Sequence, residues 1–336
     1  MATKSGRTIE HIQKKSLKDI LVRWESLLVI IFLAVNIMNV SISPNYLKAF
    51  NLFTNIRSIL LNGLIALPMA YILLLADIDL SVGSNVCLSA TVLGVVYNAT
   101  GSIWLAILAG IATGTLCGAI NGLILTKFTE LAPMIVTLAT MTLYRGVAER
   151  ILGDGSTKGM RDVEWFCKLY DLRVGPVPVL FFVFCALAII FGIVMHKTVF
   201  GRQMYAIGAN KKAAAYAGIK VQKIRMIVFT LTGFICGLSA MFYCAWTGSV
   251  KSDIAKGYEL EAISVCVLGG ISTAGGKGNF PGAIISIFII GLLRYGLNLK
   301  NINPQIINII VGALLILVVM FPNIRQSISD SRKKKL

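Results

Sequence analysis

The sequence predicts an all-α polytopic membrane protein of about ten transmembrane helices with both termini on the cytosolic side. Three observations carry that expectation. Hydrophobic residues make up 56% of the 336 positions and charged residues only 14%, against roughly 25% charged in a soluble domain. The apolar residues come in blocks close to the roughly 20 residues that cross a bilayer as helix. The basic residues sit between these blocks and at the ends of the chain, as topology determinants do.

In chain order, residues 1–25 form a polar segment with six Lys/Arg. No small-residue cleavage site follows the first apolar run, so Ser26 to Ser43 reads as a retained span and not as a signal peptide. The transmembrane region then covers 26–322, with apolar blocks beginning at Ser26, Ile59, Val86, Ile103, Leu131, Val177, Met226, Glu261, Gly282 and Gln305. The block from Glu261 to Gly270 is too short alone, which leaves nine spans as the alternative count. Residues 323–336 form a basic tail with five Lys/Arg. Seven scattered cysteines without a CxxC pair argue for neither metal nor disulfide.

The net charge of +17 would suggest nucleic acid in a soluble protein, but its placement decides otherwise. The loop 196–225 holds seven Lys/Arg and no acid, whereas the loop 153–178 balances Lys158, Arg161, Lys168 and Arg173 against Asp154, Asp162, Glu164 and Asp171. Placing both termini and 196–225 in the cytoplasm closes ten crossings consistently. Lys48 and Arg57, outside without nearby acids, are the exceptions to this scheme. Five spans on each side of the middle also permit two inverted halves with interrupted helices.

Two breaks interrupt the apolar blocks. "LLLADIDLSVGS" (Leu73 to Ser84) places Asp77, Asp79 and Ser81 beside Gly83. Ionisable groups there must face protein, a water-filled cavity or the interface, so this stretch is either pore-lining or an interfacial loop, with Asp79 or Ser81 as a helix cap. "VLGGISTAGGKGNFPG" (Val267 to Gly282) holds Gly269, Gly270, Gly275 and Gly276. It fails the phosphate-loop pattern twice, at Ile271 and Gly278. Backbone turning or close helix packing explains it better.

Inside one span, Arg145 and Glu149 are four apart and share a helix face, which suggests a structural ion pair. Asn62, Asn121, Asn298 and Asn308 read as polar glue between helices. The two histidines, His11 and His196, lie in segments expected to be cytosolic, and no catalytic motif of hydrolase or protease type appears. No enzymatic activity and no cofactor is therefore expected. In 196–225, Asn210 can cap a short helix KKAAAY that Gly218 would end. Its small alanines and Lys211 and Lys212 fit either a solvated loop helix or a docking element.

On these residues alone the chain is a secondary carrier, a channel or the membrane subunit of a machine driven by a partner. The sequence resembles the permease subunits of bacterial ATP-binding-cassette importers of the ribose, galactose and rhamnose type. The likeness rests on "DIDLSVGS" (Asp77 to Ser84), "NGLI" with "MIVTLATMTLYRGVA" (Asn121 to Ile124 and Met134 to Ala148), "FGRQMYAIGANKKAAAYAGIK" (Phe200 to Lys220) and "ELEAISVCVLGGISTAGGKGNFPGAI" (Glu259 to Ile284).

The resemblance implies a bacterial inner-membrane protein that imports a monosaccharide. Its partners would be a cytosolic ATPase, an extracytoplasmic binding protein delivering sugar to the outer loops, and a second permease chain. Gly208 to Gly218, including Asn210, Lys211, Lys212, Ala214 and Ala215, would dock on the ATPase. A deep sugar site is not implied. Ala76 and Asp77 stand where ribose-type permeases show two glycines, which leans the reading towards rhamnose or autoinducer-2, with ribose, galactose and xylose open. An ion-coupled carrier using Asp77 or Asp79 is the alternative.

Overall fold

A computed structural model describes residues 24–43, 46–153, 155–157, 159–303, 305–314 and 316. The basic segment 1–23 and the tail 323–336, with Asp154 and Lys158, lie outside the described residues. Every apolar block of the sequence carries a helix. In order these are α1 (Trp24–Ile42), α2 (Ala49–Leu74), α3 (Val82–Thr100), α4 (Ile103–Lys127), α5 (Pro133–Leu152), a short α6 (Glu164–Asp171) in the loop 153–178, α7 (Val179–Lys197), α8 (Val199–Ala209), α9 (Lys211–Tyr216), α10 (Val221–Thr247), α11 (Tyr258–Leu268) and α12 (Phe280–Leu299). A last apolar helix, α13, follows at Gln305–Leu314.

Among the described residues six helices are long and apolar enough to cross a membrane: the Ile56–Leu74 part of α2, then α3, α4, α7, α10 and α12. The chain is thus a polytopic membrane protein. The shortfall against ten has local causes. α5 is 20 residues long but carries Arg145, Glu149 and Arg150, while the apolar part of α1 and the described α13 are short. α11 spans only 11 residues, because a turn-rich segment precedes it and the glycine-rich break follows it.

Packing is closest where side chains are smallest. Gly110, Gly114, Gly118 and Gly122 recur every fourth residue on α4; Gly114 and Gly118 face Gly233 and Gly237 on α10, Gly122 faces Met226 and Phe229 there, and Gly110 faces Ser89 and Leu93 on α3. A Cβ at Gly114 would lie 2.6 Å from the Gly233 carbonyl, and one at Gly118 would overlap the Phe229 carbonyl. In lipid, where burial between helices gives no hydrophobic gain, such backbone approach supplies the van der Waals contact that holds helices together. α3 lies behind this pair, with Val82 to Thr91 buried without interruption. α1 is fixed to α12 by Asn39, whose Nδ2 donates to the Leu292 carbonyl at 2.9 Å and whose side chain fills the space left by Gly296.

The molecule has two distinct ends. At one, the loop 153–178 folds into a 3-10 turn at Met160–Asp162, α6 and a hairpin of β1 (Arg173–Val174) with β2 (Val177–Pro178). α6 buries Phe166 and Tyr170, and Tyr170 stacks on Trp246 at the end of α10. Arg57 pairs with Asp171 and lies over the Tyr170 ring. The cation that looked unaccompanied in sequence thus finds its acid in this loop. At the other end lie the Leu73–Ser84 break, helices α8 and α9, and the glycine-rich break.

Candidate functional site

α2 ends in a Schellman turn: the Asp77 amide donates to the Ile72 carbonyl and the Ala76 amide to that of Leu73. The position that normally takes glycine is Ala76, held at φ +59, a conformation that costs a residue with a Cβ roughly 1–2 kcal/mol. The turn aims the Asp77 side chain, fully buried, at two cations. Lys211 Nζ donates to Asp77 Oδ1 at 2.7 Å, and Arg225 binds it through Nε to Oδ2 at 2.5 Å and Nη2 to Oδ1 at 3.1 Å. Arg225 Nη1 also donates to the Leu125 carbonyl near the end of α4 at 2.8 Å. One carboxylate therefore joins the first break, the N-terminus of α9, the first turn of α10 and the end of α4.

Glycines bring the backbones into this junction. Gly208 at the end of α8 lies against the Leu74 carbonyl and the Gly276 amide, with no space for a Cβ. The Gly276 amide donates to the same Leu74 carbonyl at 2.9 Å. Gly275 and Gly276 adopt φ +80 and +67, values that glycine takes without steric cost. Tyr205 on α8 donates its hydroxyl to the Gly278 carbonyl at 2.8 Å, and burial raises its pKa, so it stays protonated and a donor. Asp77, Gly208, Lys211, Gly275 and Gly276, widely spaced in sequence, meet here.

The remaining candidates separate into other environments. Asp79 accepts from the Ser81 amide and hydroxyl. Asn121 on α4 donates to Ser81 Oγ at 2.8 Å, and Tyr144 on α5 donates to Asn121 Oδ1 at 3.2 Å. This closed, buried chain binds three helices without reaching the Asp77 junction by a hydrogen bond. Gly83 allows the turn at Ala255 and the Glu259 side chain to approach α3. Gly269 packs on the start of α12, and Gly270 on Trp24, whose indole donates to the Leu268 carbonyl at 3.0 Å.

One expectation needs correction. Arg145–Glu149 is not among the ion pairs of the described residues. Arg145 Nη1 instead donates to the carbonyls of Ser252 and Ile254 at 2.8 and 2.7 Å, because the non-helical segment before α11 exposes carbonyls that need a donor. For Asp77, where the sequence leaves pore-lining and interfacial readings both open, the structure shows both carboxylate oxygens engaged by cations in a buried junction.

α9 itself matches its capping signals. Asn210 Oδ1 accepts from the Ala213 amide at 3.0 Å, and Gly218 sits at φ +82 in a second Schellman turn, with the Ile219 amide donating to Ala214. Ala214 faces inward, 4% exposed, while Tyr216 is 93% exposed. Lys212, Ala213, Ala215 and Ala217 are exposed as well. The outward face of this helix is thus a tyrosine among alanines beside one lysine, with Ala214 excluded from it. Sequence reasoning missed Arg225, which looked like one more member of a basic block. Its pairing with Asp77, 148 residues away, has no local signal in the sequence.

The comparisons with known proteins agree on one family. A family described as the branched-chain amino acid transport system / permease component matches residues 51–319. The chain is 36% identical over 300 residues to the ribose import permease protein RbsC of Bacillus subtilis (strain 168), covering 87% of this chain and 89% of that one. It is 34% identical over 284 residues to the L-arabinose transport system permease protein AraH of Escherichia coli (strain K12), covering 84% and 85%. To the autoinducer 2 import system permease protein LsrD of Klebsiella pneumoniae it is 30% identical over 301 residues, covering 88% and 90%. No solved structure matches the chain. With its apolar helices and this likeness over 84–88% of its length, the chain belongs to this permease family, as a multi-pass inner-membrane permease of the ribose, arabinose and autoinducer-2 type of ABC sugar importer.

Proposed function

We propose that the chain passes a monosaccharide inward through the membrane, that a partner ATPase supplies the energy at α9, and that a binding protein delivers the sugar at the 153–178 loop. The observation that carries this reading is the junction at Asp77. A docking helix can drive a permease only if its displacement reaches the spans, and Lys211 and Arg225 tie α9 and the start of α10 to the end of α2 through one buried carboxylate. The outward face of α9, led by Tyr216 and Lys212, offers the ATPase an aromatic anchor with little side chain around it. In this arrangement both termini and 196–225 face the cytoplasm, all ten apolar helices cross or enter the membrane, and two copies or a related pair form the pathway. Lipid surrounds them, and nucleic acid plays no part.

The relatives' names include ribose, L-arabinose and autoinducer 2. The sequence leaned towards rhamnose or autoinducer-2, and L-arabinose joins the candidates. An ion-coupled carrier finds no support at Asp77, whose carboxylate is already engaged by two cations. The test is co-purification of the ATPase from membranes, comparing the native chain with Ala215→Glu plus Tyr216→Glu, two exposed positions that leave the internal packing of Ala214 intact. Loss of the ATPase only from the variant, at equal membrane insertion, is the expected result. Transport by the native chain without any ATPase would overturn the reading.

A further inference from the structure

Between α2, α11 and α12 lies a cavity of about 430 Å³ that the Asp77 junction does not involve, lined by Ser58, Asn62, Tyr258, Glu261, Arg294 and Asn298. It adjoins a second of about 640 Å³ that shares Tyr258, Glu261 and Arg294 and extends to Ser264 and Asn308. Both volumes fall within the roughly 300–1,000 Å³ of small-molecule sites. Ionisable groups are costly at such a depth and mark pathways more often than packing. Asn62 is six residues beyond Ile56, the start of the apolar part of α2, or about 9 Å along the helix axis.

The polar groups here are only partly satisfied by one another. Asn62 Nδ2 donates to Glu261 Oε2 at 2.7 Å, and Arg294 Nε stands 3.5 Å from Glu261 Oε1. Asn62 Oδ1 and Arg294 Nε, both buried, have no hydrogen-bond partner among the described residues. A pair kept only for packing would close those bonds. Glu261 and Arg294 also neutralise each other, so the first cavity presents donors and acceptors without net charge, beside the rings of Tyr258 and Tyr295, while Lys256 borders only the adjoining one. That chemistry suits a neutral polyhydroxylated molecule and not an ion. Deeper along the same seam, Gly63, Ala66, Ala262, Val265 and Ile287 close the route to a void of about 10 Å³.

We propose that the Asn62–Glu261–Arg294 cavity is a transit station for a neutral sugar, above an apolar closure that must open for the sugar to continue. This rests on the importer reading above. The test uses the whole importer, with its ATPase and binding protein, in proteoliposomes, measuring uptake of labelled D-ribose, L-arabinose and L-rhamnose alongside ATP hydrolysis stimulated by the binding protein. Glu261→Gln removes the charge that orders the cavity. Asn298→Trp fills it from an exposed position while leaving the Glu261 and Arg294 side chains themselves unchanged.

Uptake in each variant is expected to fall by roughly fivefold or more, the scale of one lost net hydrogen bond, while stimulated ATP hydrolysis stays at the native level. A smaller fall in uptake overturns the proposal. So does a parallel loss of stimulated hydrolysis in Asn298→Trp, which would make the region part of the coupling structure. If Glu261→Gln fails to assemble, Asn298→Trp alone decides. A native assembly that moves none of these three sugars, nor galactose, xylose or autoinducer-2, defeats the importer reading itself, independently of the variants.

Discussion

Asp77 holds two cations of unequal burial, and the inequality ranks the effects of removing each contact. The Arg225 side chain is 9% exposed and that of Lys211 40%. Replacing Asp77 by Asn leaves Arg225 buried without its counter-charge, a change that typically costs about 3–5 kcal/mol. Lys211→Met removes a partly exposed pair whose contribution solvent reduces to about 1 kcal/mol or less. Thermal unfolding of the detergent-solubilised protein should therefore drop far more for Asp77→Asn than for Lys211→Met. Equal effects would mean that Lys211, and not Arg225, carries the junction. The aspartate and the basic block were both legible in the sequence, but their meeting was not. Asp77 is 134 residues from Lys211 and 148 from Arg225, and no local signal encodes a contact across that distance.

Elements were legible wherever the information is local. Asn210 and Gly218 bracket α9 through contacts no more than five residues long, so composition and spacing sufficed. The glycines of α4 also show their four-residue repeat in sequence, yet only the structure identifies α10 as the facing helix. Their roles can be separated by substitution. Gly118→Val would push side-chain atoms into the Phe229 carbonyl and the Gly233 backbone, and overpacking of this kind costs about 1–3 kcal/mol. Gly146 on α5 has open space around its Cβ position, so Gly146→Ala should stabilise by about 0.5–1 kcal/mol through the helix preference alone. Opposite shifts in unfolding temperature are expected. A neutral Gly118→Val would show that the two helices can separate without loss.

At the scale of the whole molecule, the charge asymmetry and the placement of the two ends make one joint demand on topology. The loop 153–178 and the α8–α9 segment are separated by a single candidate span, α7, whose 19 residues extend about 28 Å at 1.5 Å each, close to the roughly 30 Å of a bilayer core. If α7 crosses, Val174, 63% exposed on β1, and Tyr216 on α9 lie on opposite sides. Val174→Cys and Tyr216→Cys report this directly, because Cys87, Cys117, Cys236, Cys244 and Cys266 are buried and Cys185 is partly covered within α7. Cys167, in the loop 153–178, is replaced by Ser in both. A membrane-impermeant maleimide should label Val174→Cys in spheroplasts and Tyr216→Cys only in inverted vesicles. The reverse pattern would place the basic loops outside and break the link between α9 and a cytosolic ATPase. Labelling of both from one side would mean that α7, the most isolated apolar helix between the two ends, does not cross, and the ten-crossing arrangement would fall with it.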